Sequence, residues 1–198
     1  AEVIASLSSL GELHLHYYAE TDAMTPVNLT NHAYFNLAGE GKATILDHEL
    51  EMQAGMYLPV DEYLIPNGEI CSVEGTALDF RCPKRIGRDI QEVGNGYDFC
   101  YIIDKDRLPL KTFAIVTEPS GGRSLSISTT LPAVQFYTGN NLAGTFGKSG
   151  SIYDKYAGFC LETEMYPDSP NKQNFPSCIL LPGMPWEHET VYKFSLQC

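Results

Sequence analysis

Side-chain alternation with a period of two is the feature that most limits what this chain can fold into. In residues 12–20, Leu13, Leu15 and Tyr17 fall on one side of an extended chain, and His14, His16 and Tyr18 on the other, because successive side chains of a strand point to opposite faces. Further strand-forming runs cover residues 49–58, 98–103, 112–118, 124–131, 134–138, 159–165, 178–181 and 190–197. Turn-forming clusters separate them, among them Ile65-Pro-Asn-Gly68, Glu118-Pro-Ser-Gly-Gly122 and Leu181-Pro-Gly183. Only around residues 85–93 does the pattern allow a short helix. Many strands at short spacing, without helical crossovers, predict an all-β antiparallel sandwich. No repeat, low-complexity segment or Pro/Ser-rich linker divides residues 1–198, which are expected to form a single domain.

Apolar residues make up 43% of the chain, enough to bury a core. Twenty-five acidic residues against 13 basic ones give a formal charge of −12. That surface repels phosphate backbones and anionic lipid, which argues against nucleic acid and membrane as partners and favours a neutral substrate. No run approaches the roughly 18 apolar residues that span a bilayer, and residues 1–10 lack the basic start and apolar core of a signal peptide. Cys71, Cys82, Cys100, Cys160, Cys178 and Cys198 are scattered, with no CxxC pair. They are expected to be reduced thiols in a cytoplasmic protein.

Four stretches mix strand-like apolar residues with polar groups that a core would reject. In Pro26-Val-Asn-Leu-Thr-Asn-His-Ala-Tyr-Phe-Asn-Leu-Ala-Gly39, the polar residues Asn28, Asn31, His32 and Asn36 must find hydrogen bonds or reach a cavity. Gly96-Tyr-Asp-Phe-Cys-Tyr101 puts Asp98 at the start of an apolar strand, where it serves either a ligand or a turn cap. The third is Val134-Gln-Phe-Tyr-Thr-Gly-Asn140. The fourth, Gly158-Phe-Cys-Leu-Glu-Thr-Glu-Met-Tyr-Pro-Asp168, projects Glu162 and Glu164 from one strand face. Taken alone, His32 reads as a satisfied structural histidine, and Glu164 as part of a solvated face.

Read together, the four stretches resemble the galactose mutarotase (aldose 1-epimerase) family, with similarity from about Leu13 to the C-terminus. The resemblance implies a large antiparallel β-sandwich, here in part, and interconversion of the α and β anomers of free aldoses such as galactose and glucose, with no metal or cofactor. It implies that His32 is the general acid at the ring oxygen and Glu162 the general base at the anomeric hydroxyl. It also implies that Asp98 holds sugar hydroxyls and that Gln135 is a further substrate contact. A histidine can carry a proton near neutrality, and a partly desolvated glutamate is a stronger base than an exposed one.

Two departures from the family pattern stand out. Phe99 occupies the position after the sugar-binding aspartate where relatives often have His, so a polar neighbour is lost. A second active-site histidine in a His-Gly-Gly context and a sugar-contacting arginine are not found before His32. The chain is therefore expected to be part of a longer protein and, alone, to self-associate through unpaired strand edges. This leaves a non-catalytic carbohydrate-binding or regulatory module as an alternative. A hexose-6-phosphate epimerase would want an arginine cluster, and Arg81, Arg85, Arg88, Arg107 and Arg123 all lie outside the four stretches. His14 and His16 share a strand face and could share a metal, but no acidic or Cys partner follows at ligand spacing nearby, which favours an exposed strand face. His48 and His188 carry no motif. Trp186 fits packing as well as sugar stacking, and Gly121-Gly122 reads as a hairpin turn.

Overall fold

The computed structural model describes residues 1–42, 44–103 and 110–196. Arg107, Gln197 and Cys198 lie outside the described residues. The strands in the first half are β1 (Glu2–Leu7), β2 (Glu12–Ala19), β3 (Thr25–Pro26), β4 (Glu49–Met52), β5 (Met56–Leu58), β6 (Cys71–Ser72), β7 (Lys84–Arg85) and β8 (Asp98–Ile102). Those in the second half are β9 (Lys111–Glu118), β10 (Arg123–Thr129), β11 (Ala133–Tyr137), β12 (Thr145–Phe146), β13 (Ile152–Tyr153), β14 (Cys160–Glu164), β15 (Ile179–Leu180) and β16 (Trp186–Leu196).

A seven-stranded sheet runs β1-β2-β16-β10-β9-β4-β7, and a five-stranded sheet runs β14-β11-β8-β5-β6. Their ladders are antiparallel. The sheets pack face to face, since one buried cluster joins Tyr17, Leu50 and Ile127 of the first to Tyr101, Phe136 and Leu161 of the second. Tyr192 of β16 spans the two layers, its hydroxyl donating to the Leu161 carbonyl at 3.0 Å. The alternation in residues 12–20 holds: Leu15, Tyr17 and Ala19 are buried and the histidine face is not.

Several expectations need correction. Residues 49–58 are not one strand: β4 belongs to the larger sheet and β5 to the smaller. The chain crosses at Gln53–Gly55, where the Gln53 amide bonds the Phe113 carbonyl at 2.7 Å. Residues 85–93 hold one 3-10 turn, Ile90–Val93, and three further turns occur at Ile45–Asp47, Lys148–Gly150 and Ser169–Asn171. The edge strand β1 was not foreseen; its side chains are all exposed, and nothing in its pattern marks a buried face. The five described cysteines are free thiols. Among the described residues no helix is long and apolar enough to cross a membrane.

Candidate functional site

In β8, β11 and β14 alternate residues turn inward to the core, as Tyr101, Phe136 and Leu161 do. The intervening residues form the opposite face, and the register sets them side by side. Gln135 pairs with Glu162 on one flank and Cys100 on the other, and Tyr137 pairs with Cys160 and Asp98. Three stretches that are far apart in sequence therefore share one surface because antiparallel pairing aligns them. Gln135 donates through Nε2 to Asp98 Oδ1 at 2.7 Å, so the aspartate is held by its neighbour rather than capping a turn. The turn before β8 is fixed by Gly96, at φ +108°, and by Asn140, whose Nδ2 donates to the Tyr97 carbonyl at 2.9 Å.

The fourth stretch reaches this face as a loop pinned by its asparagines. Asn28 exchanges two hydrogen bonds with the backbone of Met165, at 3.1 and 2.8 Å. Asn31 accepts from the Ala33 amide at 3.1 Å, and Asn36 donates to the Ala157 carbonyl at 3.0 Å. Phe35 forms a bridge with Phe159 beside β14. His48, fully buried, accepts from the Leu37 amide at 3.0 Å, and the Arg123 guanidinium donates to the Leu37 and Ala38 carbonyls. With the asparagines serving the backbone, His32 is the polar residue that the loop delivers to the sheet.

His32 Nε2 lies 3.4 Å from Glu162 Oε1. Half of the His32 side chain is exposed against 10% of Glu162, so an accessible imidazole stands over a buried carboxylate. Burial raises the Glu162 pKa, an effect that His32 opposes and Asp98 reinforces. The imidazole packs beside both Tyr34 and Tyr137, at ring-centroid distances of 5.1 and 6.0 Å, and the two tyrosines also meet each other. Its Nδ1 contacts Cys160 Sγ at 3.4 Å. His32, Cys160 and Glu162 present donor atoms within 4.8 Å of one another, the one such trio among the described residues. Burial holds the Cys160 thiol well above its ordinary pKa, so a protonated thiol lies against His32.

A cavity of about 190 Å³ opens on this face, lined by Asp98, Gln135, Glu162, Cys100 and Glu164 and roofed by Leu64 and its neighbours. Of the four residues expected from the sequence, Asp98, Gln135 and Glu162 line this cavity together, and His32 stands beside it in contact with Glu162. Glu164, expected on a solvated face, instead lines the same cavity with a buried oxygen, Oε1. The spacing set Glu164 on the same face as Glu162, since residues two apart on a strand share a face, but carried no signal that this face is covered there.

Other candidates resolve as structural. His14 contacts Glu189 and Glu12, and His16 contacts Glu187, so acidic partners stand nearby after all, delivered by cross-strand pairing that sequence spacing hides. Trp186 packs edge-on against Tyr17 and His188. Phe99 falls on the face opposite Asp98 and meets Tyr57 edge-on at 6.2 Å. The described arginines pair elsewhere: Arg81 with Asp79, Arg85 with Asp47, Arg88 with Asp89 and Arg123 with Glu118.

Residues 1–193 match the family model described as aldose 1-epimerase. The chain is 50% identical over 190 residues to galactose mutarotase of Bos taurus, covering 94% of this chain and 55% of that protein. It is 38% identical over 201 residues to aldose 1-epimerase of Escherichia coli K12, covering 98% and 58%. Among solved structures, the aldose epimerase homologue from C. elegans superposes with a TM-score of 0.90 at 31% identity, over 99% of this chain and 59% of that one. Galactose 1-epimerase from Lactobacillus acidophilus gives 0.82 at 28% identity, over 99% and 57%. The chain therefore spans a little over half the length of the relatives it matches.

Proposed function

The chain belongs to the aldose 1-epimerase family, and on that premise we propose that it interconverts the α and β anomers of free aldoses, with His32 as acid and Glu162 as base. The observation that carries this reading is the 3.4 Å separation of His32 Nε2 and Glu162 Oε1 above the Asp98–Gln135 pair. Anomer exchange works on two oxygens bonded to one carbon, so the acid and base that serve them must stand next to each other. Glu162 takes the proton of the anomeric hydroxyl, the C1–O1 bond becomes a carbonyl, the bond from C1 to the ring oxygen breaks, and His32 protonates that oxygen. Rotation about C1–C2 turns the other carbonyl face to the ring oxygen. Reclosure returns each proton to its origin, leaving the protein unchanged and no oxidation state altered.

The contact between His32 and Glu162 is the resting arrangement, which a sugar would part by inserting its two oxygens. Asp98, held by Gln135, accepts from hydroxyls further round the ring, and the raised Glu162 pKa supports its use as a base. A free sugar fits better than its 6-phosphate, because the described arginines are paired away from the cavity.

Polarimetry of α-D-galactose tests the proposal. Acceleration over buffer is expected, with Glu162→Gln and His32→Asn each lowering it on the order of 10²–10⁴-fold. A second reading, sugar binding without turnover, is favoured by one observation: among the described residues, neither an arginine nor a second histidine reaches this face. Galactose binding seen by NMR with mutarotation at the buffer rate would select it, and neither binding nor turnover would refute both.

A further inference from the structure

Glu164 is two residues on from Glu162 and projects from the same face of β14. Its partner across the ladder is Ala133 of β11, a small, fully buried residue, and beyond it lies β8. On that side the Glu164 carboxyl faces the Cys100 thiol, which lines the same cavity. Beneath lies an apolar floor of Leu58, Ala133, Tyr166 and Phe175. Glu164 Oε1 is closed to solvent and has no hydrogen-bond partner. Among the described residues no Lys, Arg or His pairs with this carboxyl. The groups facing it are Glu162 on its own strand, Gln135 on β11, and Cys100 and Asp98 on β8.

A sugar hydroxyl brings one proton to donate and two lone pairs to satisfy. Ionised Asp98 and Glu162 only accept, and the Gln135 amide already donates to Asp98. The second Gln135 amide hydrogen and the weak thiol donor of Cys100 are the other donors on this face, so a protonated Glu164 adds a strong donor at the end of the cavity away from His32. An anion there would stand, unpaired and out of water, beside Glu162.

We infer that Glu164 is a further substrate-binding residue of this site, working as an uncharged carboxylic acid that donates a hydrogen bond to a sugar hydroxyl at the end of the cavity remote from His32. The inference rests on the mutarotase reading for its substrate class. Burial, with the charge of Glu162 second, pushes the Glu164 pKa up to about 8, which agrees with a neutral group at physiological pH.

Two measurements test it. In polarimetry, Glu164→Leu is expected to lower kcat/KM roughly tenfold through loss of one hydrogen bond. Glu164→Gln, whose amide can donate, should recover most of that loss. Wild-type kcat/KM should fall as pH rises through about 8, while that of Glu164→Gln should not. Equal kcat/KM for wild type and Glu164→Leu across the pH range would overturn the inference. The second measurement needs no turnover: ¹³C NMR of the Glu164 carboxyl, titrated with and without galactose. Titration near 8 that moves higher with galactose supports the assignment even in an inactive protein, which would sink the catalytic reading alone. Titration near 4.5, or a pKa that galactose leaves in place, refutes it.

Discussion

Replacing Glu164 by Gln should make the protein more stable at neutral pH, and the size of the effect follows from the proton the residue holds. The carboxyl moves from an ordinary value of 4.5 to about 8 on folding, a span of about 3.5 pH units. Between those values the folded state binds a proton that the unfolded state has released. Stability therefore falls as pH rises through this window and is flat outside it. Each unit is worth about 1.36 kcal/mol, so the full window amounts to roughly 5 kcal/mol, and the 2.5 units between 4.5 and 7 to roughly 3 kcal/mol. Relaxation and water entry reduce both figures. Gln keeps the volume and the donor but has no proton to lose, so the variant escapes the penalty. At about 2–4 °C per kcal/mol for a chain of this size, Glu164→Gln should raise Tm at pH 7 by several degrees, with roughly 6–12 °C as the upper limit, and leave it unchanged near pH 4. Thermal melts of both proteins from pH 4 to 9 read this directly. Parallel curves, with no divergence between pH 5 and 8, would mean that Glu164 is solvated and ionised, and would remove the basis for its role as a donor.

Gly96→Ala places a Cβ against the Asn140 side chain and 2.9 Å from Tyr156 Cε1, at a φ of +108° that side chains resist. A loss of about 1–3 kcal/mol is expected in urea unfolding, and wild-type stability would refute the account of this turn. Gln135→Leu removes the donor that orients Asp98, so KM for galactose should rise roughly tenfold with little change in Tm; an unchanged KM would show that Asp98 needs no such support. The acid limb of kcat/KM should have its midpoint above 4.5, since the base must be ionised and burial raises its pKa. A pH–rate profile still flat at pH 4.5 would exclude Glu162 as the base.

The fold was legible wherever one side of a strand is buried, because burial writes its period into the sequence. Leu15, Tyr17 and Ala19 announce β2 in this way. Val3, Ile4 and Leu7 are exposed on an edge strand held by pairing with β2 alone, so β1 carries no such record. The run at 49–58 misled for a related reason: both of its ends are buried, but they belong to different sheets, and periodicity does not report which sheet a strand joins.

The site was legible to the extent that its residues break the pattern of their surroundings. His32, Asp98, Gln135 and Glu162 are polar groups in apolar strands or loops, and that misfit marks them. Glu164 breaks the pattern just as much, yet nothing in the sequence separates a glutamate on a solvated face from one over a sealed floor. The difference lies at Ala133, two strands' worth of chain away, where a small, fully buried side chain leaves Glu164 room to face Cys100. A larger residue at that position would take up that room and turn Glu164 toward solvent. Ala133→Val is therefore expected to restore an ordinary carboxylate pKa at Glu164 and abolish the fall in kcat/KM near pH 8, while the chemistry at His32 and Glu162 continues. If the alkaline fall persists in Ala133→Val, the proton lost near pH 8 belongs to another group, and the packing argument for Glu164 fails with it.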